Sequence, residues 1–386
     1  LVRTTGSLQL AEDALADAVV RALELWPRDG IPAEPRAWLT VVARRRAVDL
    51  IRREGGRSDK EAAALALLEP ADSPLPDVAQ VRDDLLRLLF TCCHPALTIE
   101  AQSALALRTL CGLTTAEVAS ALLVSEATMA KRLVRAKQKI AAAGIPYRCP
   151  SAEELPARLR GVLTTVYLLF NEGYHATSGD SPLRQQLTSE ALRLAALLRE
   201  LLPDQVSVAG LEALLLLQHA RVPARLDDAG SPVKLDEQDR TKWDRAEIQS
   251  GLSLLGLALR GSTEQPDPYV VQAAIAACHD LAPAWSETNW EAIVSWYDVL
   301  LTVADTPVVR LNRAVAVGER DGAAAGLEEL DRIDGLSAYL PLVAARAELL
   351  ARAGRHDEAR SAFQEAIMLP GNDATRHQLR RRLAAL

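Results

Sequence analysis

LTTAEVASALLVSEATMAKRLVRAK, residues 113–137, decides how this chain is read. Thr114 and Glu117 have the spacing of a capping box, so a first short helix begins there. Ser125 offers a second N-cap three residues after Leu122, which leaves room only for a tight turn. In the second helix Met129, Leu133, Ala136 and Ile140 recur at i, i+4, i+7 and i+11, giving one apolar stripe. Thr128, Lys131, Arg132, Arg135 and Lys139 share a neighbouring face. One face can pack on the protein while the other meets phosphates and base edges in a major groove. The spacing predicts a helix-turn-helix.

The charge around it supports that reading. No acid occurs between Ala127 and Ala152, an interval that holds Lys131, Arg132, Arg135, Lys137, Lys139 and Arg148. The chain of 386 residues carries a net charge of −7, but residues 1–150 sum to +2 and residues 151–386 to −9. A front half with local basic surface points to nucleic acid. The acidic back half reads as folded acidic helices, with competition against DNA for the basic surface as a further role.

Length allows two or three domains with substantial cores. Aromatic residues make up only 4% while Leu and Ala abound, and alternation of β-branched residues is nearly absent, so the fold class expected is all-α. The longest apolar run, Leu214 to Leu217, soon meets Gln218, His219 and Arg221, which excludes a membrane span there. No secretory leader is recognisable. Five cysteines without a repeating pattern suit reduced thiols, and the expected compartment is the cytoplasm. The chain begins at Leu1, which suggests that a natural start is missing.

Outward from the helix-turn-helix, residues 8–26 predict a helix with Leu8, Ala11, Leu15, Ala18, Val19, Ala22 and Trp26 on one side. Pro27 and Gly30 to Pro35 predict a loop, and residues 36–53 a second helix rich in arginine. Gly55-Gly56, Pro70, Pro74 and Pro76 mark a linker with one helical stretch near residues 62–68. About 30 extended residues reach roughly 100 Å, more than two turns of B-DNA at about 70 Å. Helices are expected again at 85–93 and 99–110. Toward the end, Leu350, Gly354, Ala359, Phe363, Ala366 and Pro370 resemble half of a tetratricopeptide (TPR) unit, and Gly322 lies 32 residues before Gly354. A short helical solenoid and an irregular bundle both fit that spacing.

Taken in order, these segments resemble a bacterial sigma factor of the extracytoplasmic-function (ECF) type. Residues 11–26, AEDALADAVVRALELW, are similar to the family's core-polymerase-binding helix. Residues 37–53, AWLTVVARRRAVDLIRR, are similar to the helix that recognises and melts the −10 element, and the helix-turn-helix to the reader of the −35 element. The back half resembles the long TPR-like extension of one ECF group, through residues 91–97, TCCHPAL, residues 170–174, FNEGY, Asp239-Arg240 with Trp243-Asp244, and residues 311–317, LNRAVAV. Two positions depart from the pattern. Leu123 stands where many such turns have Gly, which predicts a looser turn, and Arg45 stands where Asn is frequent.

The resemblance implies sigma domain 2 over 1–57 with its opening helix truncated, a linker over 58–84, sigma domain 4 over 85–150 and a TPR-like helical domain over 151–386. It implies Glu12, Asp13, Asp17 and Trp26 as the core polymerase surface, the loop 28–36 as a pocket for a flipped base, and Arg28, Arg36, Arg44, Arg45, Arg46, Arg52 and Arg53 at the −10 element. Glu126, Thr128, Lys131, Arg132 and Arg135 are the candidates at the −35 element. The partners implied are core RNA polymerase and promoter DNA, with intramolecular contacts between the C-terminal domain and the sigma domains, and no cofactor.

Other chemistry is weaker. Cys92-Cys93-His94 lacks the two-to-four-residue separation that lets two thiolates turn to one zinc ion. Glu172, His175 and Asp239 are acid–base candidates, but no phosphate loop, dinucleotide fingerprint or nucleophile elbow accompanies them, and helix capping explains them. A binding protein is therefore expected, not an enzyme. The competing reading is a helix-turn-helix repressor on a TPR scaffold that works without polymerase.

Overall fold

The computed structural model describes residues 1, 5, 8–54, 88–143, 150–151, 153–178, 181–228, 230–262 and 265–386. The side chains of Arg52 and Arg53, the expected helix near 62–68, Arg148 and Cys149 lie outside the described residues. Among the described residues the chain is all-α, with a single isolated bridge between Leu226 and Pro232. It divides into two compact units, Leu1–Thr165 and Val166–Leu386.

The first unit opens with α1 (Leu8–Asp29) and α2 (Pro35–Glu54), which pack together. Helix α1 runs three residues beyond the expected end, carrying Pro27 inside its last turn, and stops at Gly30, whose φ is +84°. The buried seam differs from the expected stripe. Ala11, Ala14, Ala18 and Ala22 are buried, as are Ala43 and Ala47 of α2, while Leu15 and Val19 are exposed. The fully buried part of the contact is lined by these methyl groups, so the helices approach closely there, with Trp26 and Trp38 meeting at one end.

A helical segment over residues 88–92 leads to α3 (Ile99–Thr109), α4 (Thr115–Ala121) and α5 (Glu126–Ala142). Both expected caps form. The Thr114 hydroxyl accepts from the Glu117 amide and the Glu117 carboxylate accepts from the Thr114 amide, closing the capping box. Ser125 accepts from the Thr128 amide. The turn between α4 and α5 is tighter than Leu123 predicts. Val124 N–H donates to Ala119 O and Leu123 N–H to Ser120 O, the two bonds of a Schellman motif. Leu123 closes it at φ +52°, the one non-glycine among the described residues with positive φ. Met129, Leu133, Ala136 and Ile140 are all buried beneath α5, as the spacing predicts.

Helix α6 (Leu155–Tyr174) crosses the division between the units. In the second unit, α7 (Gln185–Leu201) and α8 (Val206–His219) are followed by α9 (Arg245–Gly261) and α10 (Pro268–Leu281). Helix α8 is buried between α9 and α10 through Leu214, Leu217, Ile248, Leu255, Val270 and Ala274. Two arginines clasp the C-terminal end of α10. Arg221 donates to Asp280 Oδ1 at 2.7 Å and to Ala276 O at 3.0 Å, and Arg240 donates to His279 O at 2.8 Å and Ala282 O at 2.6 Å. Trp243 takes both guanidinium groups against its ring, at 5.5 and 4.9 Å. Their charges meet the carbonyl end of the helix dipole. Burial, then Arg221 and Arg240, push His279 down to about 3, so it stays neutral.

Helices α11 (Trp290–Val303), α12 (Pro307–Arg320), α13 (Ala323–Asp331), α14 (Leu340–Arg352), α15 (His356–Met368) and α16 (Asp373–Ala384) complete the chain. The starts of α12 and α14 are 33 residues apart, as are those of α13 and α15. Gly318 and Gly326 let α12 and α13 touch, since a Cβ on Gly326 would sit 2.9 Å from Gly318 Cα. Leu350, Ala359, Phe363 and Ala366 are buried in the shared core. Asn372 caps α16 and donates to Ala176 O at 2.6 Å, tying the end of this unit to its beginning.

Two stability changes follow. Leu123→Gly removes left-handed strain of about 1 kcal/mol or more against a smaller loss through the unfolded chain. The expected gain of about 0.5–1 kcal/mol is read as slower amide exchange in α4 and α5. Asp280→Ala leaves Arg221 buried without its counter-ion and should destabilise the second unit by about 3–5 kcal/mol in denaturant titration.

Candidate nucleic-acid interface

The exposed side of α5 carries Glu126, Thr128, Lys131, Arg135 and Lys139, with Arg132 half-buried beside them. Ser125 fixes where this face begins, and its hydroxyl also meets that of Thr128 at 2.8 Å. Thr128, Lys131, Arg132, Arg135 and Lys139 line one wall of a shallow groove of about 350 Å³. Leu97, Thr98 and Ala101, at the start of α3, line the other. Glu100 is held below the usual carboxylate range by its own backbone amide and the Thr98 hydroxyl, then by the charges of Arg132 and Arg160. The expected cations thus share one open surface on a rigid helix.

Lys137 does not belong to it. Its ammonium donates to Glu12 Oε2 at 2.6 Å, and Thr109 donates to Glu12 Oε1 at 3.2 Å. The first of the acids expected to face polymerase is therefore turned onto α3 and α5. Asp13 and Asp17 are exposed, and Asp17 pairs with Arg46 of α2. Trp26 is half-buried edge-to-face against Trp38, with ring centroids 5.5 Å apart. Arg28, Arg36, Arg44 and Arg45 are exposed, and Arg28 lies 3.9 Å from Asp29.

One surface escapes the reading of the sequence. Leu15, Val19 and Leu23 stand at i, i+4 and i+8 on α1 and are exposed at 45, 41 and 70%, with Val20 beside them at 54%. A contiguous apolar stripe flanked by acids marks an interaction surface. The segregation of large residues from the alanines at 11, 14, 18 and 22 was its signature.

The polar motifs of the second unit serve structure. Glu172 is buried, accepts from the Thr177 amide and hydroxyl, and lies 3.5 Å from Arg184. Asp239 caps a short 3₁₀ turn and Asp244 caps α9. Arg225 stacks on Tyr174 at 4.0 Å. The thiols of Cys92 and Cys93 are fully buried. Burial pushes Cys92 well up, helped by the neighbouring Cys93 and the Glu12 carboxylate, and pushes Cys93 to about 12. Among the described residues no cluster of His, Cys, Asp or Glu has the arrangement to hold a metal ion, and no helix is long and apolar enough to cross a membrane.

Comparison with known proteins accords with this layout. Residues 1–57 match the model for sigma-70 region 2, and residues 87–140 match that for sigma-70, region 4. Residues 158–259 match a family of unknown function, DUF6596. An uncharacterized protein of Rhizobium meliloti (strain 1021) is 43% identical over 99% of this chain and 91% of its own length. No solved structure matches the chain. The two regions imply binding to core RNA polymerase and promoter DNA and a role in transcription initiation, which is not an enzymatic role. The chain belongs to the sigma-70 family, joining regions 2 and 4 to a DUF6596 segment.

Proposed function

We propose that this protein is a cytoplasmic sigma factor of the ECF type that carries core RNA polymerase to its promoters. In this reading sigma domain 2 spans 1–57, a linker spans 58–84, sigma domain 4 spans 85–150 and a TPR-like helical domain spans 151–386. The observation that carries it is the pairing, in one unit, of an open cationic face on α5 with an acidic and apolar face on α1. A repressor needs the first and has no use for the second.

Asp13, Asp17 and Trp26, with Leu15, Val19 and Leu23, form the polymerase surface, joined by Glu12 once it leaves Lys137. Arg28, Arg36, Arg44, Arg45, Arg46, Arg52 and Arg53 serve the −10 element. Lys131, Arg132 and Arg135 reach phosphates and base edges at −35, with Glu126 and Thr128 at the helix start. Lysine and arginine supply sequence-independent attraction, and the few groove-facing contacts supply selection. The 33-residue recurrence of helix pairs from α12 to α15 supports a TPR-like extension. The extension acts in cis on the sigma domains.

Co-purification with core polymerase followed by run-off transcription tests the whole reading; a chain that binds promoter DNA but never polymerase would be a repressor. Arg132→Ala and Arg135→Ala should each weaken promoter binding by about 1–3 kcal/mol if they touch bases, whereas Lys131→Ala should mainly lower the salt slope by about 1. Filter binding across a salt series separates the two. Leu15→Ser with Leu23→Ser should reduce capture of core polymerase at least tenfold while the helical circular-dichroism signal stays unchanged.

A further inference from the structure

Region 4 touches two other parts of the first unit, and the two joints differ in kind. On one side stands α1, held by the half-exposed carboxylate of Glu12 between Thr109 Oγ1 at 3.2 Å and Lys137 Nζ at 2.6 Å. On the other stands the first half of α6, beyond the end of the region 4 match at residue 140 and containing the start of the DUF6596 match at 158.

The second joint is buried and closely fitted. Arg158, 2% exposed, donates to Phe90 O at 3.1 Å, satisfying a carbonyl of the helical segment 88–92. Gly161 admits Gln102 so closely that a Cβ there would lie 1.9 Å from Gln102 Oε1 and 3.3 Å from Cys93 Cβ. Gln102 in turn donates to His94 O at 3.1 Å and Leu97 O at 2.9 Å, bracing the loop before α3. Thr165 meets Cys93 Sγ at 3.8 Å. Arg158, Gly161 and Thr165 recur at i, i+3 and i+7, one face of α6 turned to region 4.

Adjacent residues on a helix project about 100° apart, so Cys92 and Cys93 look toward different neighbours. Both are fully buried. Cys93 faces Thr165, while the Glu12 carboxylate is among the charges that, after burial, raise Cys92.

A compact unit of 165 residues spans roughly 40 Å, less than the roughly 70 Å of two turns of DNA. Regions 2 and 4 cannot stay docked while gripping separated promoter elements, so one joint has to part. A half-exposed ion pair typically shifts an equilibrium by no more than about fivefold. Lifting α6 instead parts the buried Arg158 from the Phe90 carbonyl and empties the space that Gln102 fills against Gly161.

We propose that residues 155–165 are a permanent fifth helix of region 4, and that opening for promoter engagement occurs only at the Glu12 joint. Polymerase then competes for the carboxylate that holds α5 in place, so docking on the enzyme itself frees the DNA reader. The first half of α6 stays with region 4 throughout. This rests on the sigma-factor reading above.

The test is native-state alkylation of the full chain, with tandem mass spectrometry resolving Cys92 from Cys93. Both thiols should be protected in the free protein. Glu12→Gln should raise the Cys92 rate severalfold without polymerase and leave Cys93 unchanged, and added core polymerase should leave Cys93 protected. A Thr165→Cys variant, oxidised to a disulfide with Cys93, should support run-off transcription as well as its reduced form. Equal acceleration of both thiols in Glu12→Gln, no response of Cys92 to that change, or loss of transcription on oxidation would each overturn the proposal. Failure to capture polymerase defeats the sigma-factor reading instead, and the free-chain labelling still decides which joint opens.

Discussion

Close approach of helices through small side chains is the constraint on which this structure rests. Ala14 and Ala18 face a partner helix with Ala43 and Ala47, Gly161 receives Gln102, and Gly318 meets Gly326. A chain with few aromatic residues has little bulk with which to fill wide interfaces. It gains cohesion by bringing backbones together, where dispersion contacts are dense. The cost is sensitivity: a methyl group added at Gly326 would meet backbone atoms of Gly318 and Ala314, and one at Gly161 would displace Gln102.

The same economy shapes the surfaces. Because the α1 seam uses only alanine, Leu15, Val19 and Leu23 are left to face outward. Because α5 buries Met129, Leu133, Ala136 and Ile140, its cations are confined to the opposite side. Packing thus sorts the chain into an apolar-acidic face on one helix and a cationic face on another. Both faces stand on rigid elements, where side chains keep their register toward a partner.

The first unit also combines a solvent-exposed ionic joint with an enclosed, hydrogen-bonded one. Glu12, Thr109 and Lys137 form a contact open to water, whose strength depends on salt and on competing charges. Arg158 and Gln102 are enclosed and hydrogen-bonded to backbone carbonyls. In the second unit Arg221 and Arg240 apply that enclosed design at the end of α10.

Local chemistry made much of this legible from residues alone. The all-α class, the caps at Thr114 and Ser125, the stripe beneath α5 and the cations opposite it all depend on spacings within one or two helical turns. Such spacings are fixed by 3.6 residues per turn whatever surrounds them. Which face of α1 is buried was not legible, because leucine and alanine are both apolar and only the partner helix decides which fits. The Schellman turn at Leu123 was hidden for a similar reason: the αL strain of one leucine is outweighed by the packing of the two helices it joins. The sequence by itself determined the helices, their caps and the sign of their surfaces. Tertiary structure alone decided that Glu12 would turn onto Thr109 and Lys137 and that residues 155–165 would lie against region 4. Those contacts join residues 59 to 125 positions apart, whose meeting depends on how whole helices pack.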